Sequence, residues 1–174
     1  LSPRAVERLE SYDPPWPLPK LFRLTKGGAL IRDLFEGATI NTPSMLAVED
    51  QLDALSWATR IGGLPALIAR SQANLEVIRA WIDQSSWAAL LTPDVSQQSS
   101  TSICLKIIDP VFGALPDSAQ RTFIKSMTAL LEQQNVAFES AAYRDAPHGV
   151  RLWGGETGVS TGLQELTPWL EWGL

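Results

Sequence analysis

Apolar residues recur at helical spacing from Met45 to Ile82, and only Gly62-Gly63 interrupts them. The pattern predicts two long helices, because an apolar residue every three or four positions covers one helix face. The first helix carries on that face Met45, Val48, Leu52 and Leu55. The second should reach about Gln84 and bury Leu64, Leu67, Ile68, Leu75, Ile78 and Ile82. The glycine pair suits a helix end. The two long helices are expected to form a bridge from a larger preceding domain.

The spacing of apolar residues changes to two beyond residue 102. The strand predicted there alternates Ile103, Leu105 and Ile107 with Cys104, Lys106 and Ile108. A third long helix is indicated by Ala119, Phe123, Met127 and Leu130. Candidate strands at Val136–Ala142 and Val150–Trp153 flank a turn at 146–149. A last helix, capped by Ser160 or Thr161, would bury Leu163, Leu166 and Leu170.

This order of elements predicts an α/β fold in which long bridging helices precede a small sheet with helices packed on one face. Residues 63–174 are expected to form the small α/β domain. Residues 1–62 are expected to hold the remnant of a larger domain and the start of the bridging helices. The chain begins with Leu1 rather than Met, and Ser2-Pro3 is already typical of a helix start, so the chain is expected to be cut from something longer.

The remaining N-terminal stretch is less regular. Four prolines make Asp13–Pro19 an extended loop. The segment from Leu21 to Thr39 is ambiguous, with a turn at Gly27-Gly28 and the helical spacing of a short helix from Leu30 to Phe35.

Charge and cysteine content exclude several classes of function. The chain carries 19 acidic and 14 basic residues, a net charge of −5, which disfavours nucleic acid as a partner because nucleic acid selects a basic surface. It has no lysine–arginine run for an anionic membrane surface and no apolar stretch long enough to cross a bilayer. The single cysteine, Cys104, cannot form an internal disulfide, so a cytoplasmic location is expected.

Candidate anion-binding groups stand near both ends of the chain. In Asn41-Thr42-Pro43 the expected N-cap is Thr42 and the first helical residue Pro43. Such a start offers free N–H groups to an anion, although capping alone would also explain it. Arg151 alternates with apolar neighbours, so it faces the opposite side of its strand and could clamp an anion. Arg144 is a weaker candidate for the same chemistry.

Other polar residues favour ordinary structural roles. His148 is interpreted as a solvated turn residue, Cys104 as a small core residue, and the acidic group Glu49, Asp50 and Asp53 as a solvated helix face. Lys20 and Lys26 lie among prolines and glycines, which does not suggest the buried site of a Schiff-base lysine. No metal-ligand cluster or catalytic nucleophile is apparent.

Seven segments of the chain, taken in order, resemble phosphoserine aminotransferase, a class V aminotransferase of the fold-type I pyridoxal-phosphate group. They are residues 1–12, 14–19, 22–28, 39–45, 62–64, 101–106 and 143–147. The resemblance covers nearly the whole chain and corresponds only to the C-terminal half of that enzyme.

The resemblance implies a homodimer that exchanges an amino group between glutamate and 3-phosphohydroxypyruvate, giving 2-oxoglutarate and O-phospho-L-serine. It implies pyridoxal 5′-phosphate as cofactor, with Asn41 and Thr42 reaching across the dimer to the cofactor phosphate. It implies that Arg151 takes the substrate carboxylate and that Arg144 helps to hold the substrate phosphate.

The chain departs from the family at two places. Tyr143 stands where the family often has a histidine, and Gln97-Gln98 stands where Thr-Arg is expected. The resemblance also places the Schiff-base lysine before the segment that matches Leu1, so these residues alone are not expected to turn over substrate. Two alternatives remain open: a stand-alone α/β binding or interaction module without catalysis, and a class V transaminase of different substrate choice, such as alanine–glyoxylate.

Overall fold

A computed structural model of the chain describes residues 1–143 and 146–174. It divides into two compact units, Leu1–Ser56 and Trp57–Leu174. Helices and a small sheet make up the architecture, which confirms the predicted α/β class. The domain division at residue 62 stays a prediction.

Short elements build the first unit. Helix α1 (Pro3–Ser11) begins as predicted, because the Ser2 hydroxyl accepts a hydrogen bond from the Ala5 N–H. Strands β1 (Thr25–Lys26) and β2 (Ala29–Leu30) form a hairpin. The predicted glycine turn joins them, and both glycines have positive φ, +60° and +80°. The short helix expected near residue 30 is a 3₁₀ turn, Arg32–Phe35.

Helix α2 (Met45–Arg60) begins two residues later than predicted. The Ser44 hydroxyl accepts a hydrogen bond from the Ala47 N–H at 3.4 Å, and the Ser44 carbonyl accepts from Val48 at 3.1 Å. These are the bonds of an N-cap residue. Thr42 and Pro43 therefore precede the helix, and the prediction of Thr42 as its cap is wrong.

The apolar face of α2 is not buried. The helix stops before Gly62 and Gly63, which have φ of +113° and +70°, as predicted, but none of its residues is buried. Helix α3 (Gly63–Ile82) buries its C-terminal half, including Leu75 and Ile78. Leu64 and Ile68 are exposed, contrary to prediction, because the sheet and the last helix pack beside the later turns of α3.

Three antiparallel strands form the sheet of the second unit, in the order β3 (Ala88–Leu90), β4 (Ser102–Ile107) and β5 (Val150–Trp153). Strands β4 and β5 were predicted, whereas β3 was not. Ile103 of β4 lies opposite Leu152 of β5. Both face the core that the helices cover.

Helices α5 (Asp117–Gln133) and α6 (Ser160–Gly173) complete this core, together with a short helix, α4 (Pro110–Gly113). The apolar side chains buried most completely are Ile78, Ile103, Met127, Leu131 and Leu170. The buried face of α5 includes Leu131 rather than the predicted Leu130, which is exposed. Leu163 and Leu170 are buried and Leu166 is packed against the same core, as predicted.

Asn74 of α3 fixes the loop between β5 and α6. Its amide nitrogen donates to the carbonyls of Gly154 and Gly155, each at 3.1 Å, and the side chain is 1% exposed. The Ser160 hydroxyl donates to the Asn74 carbonyl oxygen at 2.8 Å. Ser160 is therefore bonded to α3 instead of capping α6, whose N-cap is Val159. The prediction of a Ser160 or Thr161 cap is wrong.

Candidate functional site

Arg151 lies in the middle of β5, between the buried Val150 and Leu152. Its side chain points to the opposite face of the sheet, as the alternation predicted. Cys104 of β4 is its cross-strand partner. Cys104 is partly exposed and shares this face, so its prediction as a core residue is wrong. The alternation along β4 explains this, because the side chains on either side of Cys104, Ile103 and Leu105, are the ones that point into the core.

The segment before β5 runs alongside Arg151 without forming the predicted strand 136–142. Only Ala141 bridges to Val150, and the Arg151 N–H donates to the Ser140 carbonyl at 2.7 Å. Asn135 and Glu139 have φ of +56° and +52°, a left-handed backbone that breaks strand geometry. Residues 136–143, called the strap below, therefore lie along the edge of β5 in an irregular conformation.

Two groups of this strap hold the Arg151 guanidinium. The Tyr143 ring lies beneath it, with 4.4 Å from Cζ to the ring centroid, a cation–π contact. The Glu139 carbonyl accepts from Nη2 at 3.4 Å. Sequence reasoning did not find these contacts, although an aromatic residue close before a strand arginine was a usable signal.

Among the described residues, one donor of Arg151 lacks a partner: its Nε is buried and makes no hydrogen bond. Within those residues, no carboxylate lies within 4.0 Å of the guanidinium either. A buried unpaired donor costs about 1–3 kcal/mol, and more for a charged group. Arg151 also lines a cavity of about 410 Å³, which suits an external carboxylate as a partner for the guanidinium.

His148 anchors the turn that leads into β5. Its Nε2 lies 2.6 Å from Oδ1 of Asp117 in the first turn of α5, and its side chain is 16% exposed. The hydrogen bond from His148 holds the pKa of Asp117 below its ordinary value. The prediction of a solvated turn histidine is wrong, because its acidic partner is distant in sequence and close in space.

Gly149 lets β5 approach β4 closely. A Cβ atom built on Gly149 would lie 1.9 Å from the Leu105 carbonyl oxygen. Only glycine fits this contact without backbone movement. Arg144 lies outside the described residues, so its predicted role stays a prediction.

Asn41 and Thr42 lie in the first unit and are exposed. The Asn41 carbonyl accepts from the Thr39 hydroxyl at 2.9 Å. Within the described ranges, neither the Asn41 amide nor the Thr42 hydroxyl is hydrogen-bonded to another residue. Both side chains are therefore available to a ligand or to another chain.

The two glutamines Gln97 and Gln98 differ in role. The Gln98 amide oxygen accepts from Nε and Nη2 of Arg79, at 3.2 and 2.5 Å, and its nitrogen donates to the Thr92 carbonyl. Gln98 thus joins its loop to α3, whereas Gln97 is exposed.

Neither a metal site nor a membrane-spanning helix is present in the described residues. Residues 1–143 and 146–174 hold no cluster of three or more potential metal ligands. No helix in those ranges has both the length and the apolar character needed to span a membrane.

Comparison with known proteins gives the family context. No family model matches the chain. It is 49% identical to a phosphoserine aminotransferase of Methanosarcina barkeri and 48% identical to that of Methanosarcina mazei, over 172 residues in each case. Each alignment covers 99% of this chain but 44% of the relative. Over almost all of its length, the chain is thus similar to the C-terminal part of phosphoserine aminotransferases, which confirms the resemblance inferred from its motifs.

Proposed function

We propose that this chain supplies the C-terminal part of a phosphoserine aminotransferase, a cytoplasmic homodimer that acts on glutamate and 3-phosphohydroxypyruvate. The observation that carries the proposal is Arg151, a guanidinium on a strand that lines a cavity of about 410 Å³ and, among the described residues, has no carboxylate within 4.0 Å. Amino donor and acceptor both present a carboxylate, which a guanidinium binds through two parallel hydrogen bonds. Similarity to two curated enzymes of that name supports the same reading.

Arg151 would bind and orient each substrate by its carboxylate. Its strand position and its contacts with Tyr143 and Glu139 limit the freedom of the guanidinium. Little further conformational entropy is therefore lost when a carboxylate binds. Arg144 would contact the phosphate of the acceptor.

Pyridoxal 5′-phosphate would serve as cofactor, and when bound it supplies an electron sink for the substrate carbon. The exposed, unbonded side chains of Asn41 and Thr42 fit a phosphate, since an amide and a hydroxyl both donate hydrogen bonds. In a homodimer they would hold the phosphate of the neighbouring subunit's cofactor. The reactive lysine would lie outside these residues, so we do not expect turnover by the 174-residue chain alone.

The direct test is a coupled assay of the full-length protein with glutamate as amino donor. Phosphohydroxypyruvate should be turned over with a kcat/KM far above that for glyoxylate. A preference for alanine and glyoxylate would instead assign another class V transaminase. No transamination of either acceptor would favour the alternative, a binding or interaction module without catalysis.

Replacing both Asn41 and Thr42 with alanine should weaken cofactor retention about tenfold or more, because two phosphate hydrogen bonds are lost. The full-length variant would be dialysed, and the remaining pyridoxal phosphate read from its absorbance. Ser44→Ala is the matched control, since it removes the cap of α2 at a cost of about 1 kcal/mol and should retain cofactor. If the double variant keeps its cofactor as the wild type does, the phosphate role is wrong.

A further inference from the structure

Tyr143 contacts Arg151 by the face of its ring. The guanidinium carbon lies 4.4 Å from the ring centroid, and Tyr143 is itself 70% exposed. An exposed tyrosine gains little from burial of its own surface, so its own packing does not account for the stack.

The ring restricts the guanidinium in a way that the strand cannot. An arginine side chain has several rotatable bonds beyond the backbone, and fixing β5 leaves them free. With the Tyr143 ring beneath Cζ and the Glu139 carbonyl at Nη2, the guanidinium is restrained at two points. Its remaining donors can then meet a planar carboxylate edge to edge.

We propose that Tyr143 is a positioning residue for carboxylate recognition, which acts by holding the plane of the Arg151 guanidinium. The inference rests on the proposed function in taking the ligand to be a substrate carboxylate. The ring performs this role, because in the described residues the Tyr143 hydroxyl has no hydrogen-bond partner and the contact is made to the ring face. Phenylalanine should therefore substitute for it.

Kinetics of full-length variants test the role. Tyr143→Ala and Tyr143→Leu should raise KM for glutamate about two- to fivefold, the value of an exposed cation–π contact, with kcat little changed. Tyr143→Phe should restore the wild-type KM. In an Arg151→Ala background, Tyr143→Ala should add no further loss, since the two residues act as one unit.

Tyr12 offers a matched control in the same chain. Its ring stacks on Arg8 within α1, with 4.1 Å from Cζ to the centroid. Tyr12→Ala removes a similar stack and should leave KM for glutamate unchanged. A rise equal to that of Tyr143→Ala would overturn the inference, because the effect would then be general to lost aromatic surface.

Binding of glutarate, a dicarboxylate that cannot be transaminated, gives a readout that is independent of activity. Calorimetry on the full-length protein should show a two- to fivefold weaker Kd for Tyr143→Ala and no change for Tyr143→Phe. Unchanged binding in Tyr143→Ala, or equal loss in Tyr143→Phe, would overturn the inference. If the wild type binds glutarate through Arg151 but transaminates neither acceptor, the proposed function fails while the positioning role is still decided by these Kd values.

Discussion

Arg151→Ala in the full-length protein should raise KM for glutamate and for 3-phosphohydroxypyruvate by about 30- to 1000-fold. Loss of one partner from a hydrogen-bonded charge pair costs about 2–4 kcal/mol, and each 1.4 kcal/mol is a factor of ten. The guanidinium lines a cavity and has no carboxylate within 4.0 Å among the described residues, so a substrate carboxylate would supply the missing ion-pair partner. Steady-state kinetics with each substrate varied in turn would measure the effect.

Arg151→Lys separates charge from geometry. Lysine keeps the positive charge but cannot make the planar, two-bond contact, so its KM values should fall between those of wild type and Arg151→Ala. Unchanged KM for both substrates in Arg151→Ala would refute the carboxylate role. A change confined to 3-phosphohydroxypyruvate would point to phosphate binding instead.

Gly149→Ala should destabilise the second unit by about 3 kcal/mol or more. The added methyl group would lie 1.9 Å from the Leu105 carbonyl oxygen, and because that atom is backbone, relief requires the two strands to separate. For a chain of this size each kcal/mol lowers Tm by about 2–4 °C, so a fall of roughly 6–12 °C is expected. Thermal unfolding of the 174-residue chain, followed by circular dichroism, would measure it.

Gly113→Ala provides the comparison. Gly113 ends the short helix α4, and a Cβ there meets no atom within 4 Å. Its Tm should stay within about 2 °C of wild type, since such surface substitutions change stability by about 0.5 kcal/mol or less. Equal Tm values for the two variants would contradict the close approach of β5 to β4.

Periodicity predicted the elements whose burial is local and regular. Strand β4 alternates the buried Ile103 and Leu105 with less buried neighbours, and α5 and α6 each keep an apolar stripe, so their positions followed from the residues. Strand β3 was missed because Ala88–Leu90 is too short to show a period. Segment 136–142 has strand-forming residues, but left-handed backbone at Glu139 breaks it, and composition does not report that conformation.

Within the candidate site, alternation along β5 was enough to orient Arg151. Its partners could not be inferred in the same way, because a contact across the chain depends on the path of the backbone. The pair His148 and Asp117 shows this clearly: each looks unremarkable in sequence, and the fold places their side chains 2.6 Å apart. Likewise, the helical spacing of α2 defines an apolar face without saying what covers it.

The register of the sheet also bears on how quickly the site can form. Strand β5 joins β4 through pairs such as Leu105–Val150 and Ser102–Trp153. The chain between the two strands forms a long loop, and closing it costs conformational entropy before any hydrogen bond between them can form. Contacts of this range slow the folding of a chain. Arg151 should therefore reach its final orientation late in folding, after the helical turns and the local hairpin are already in place.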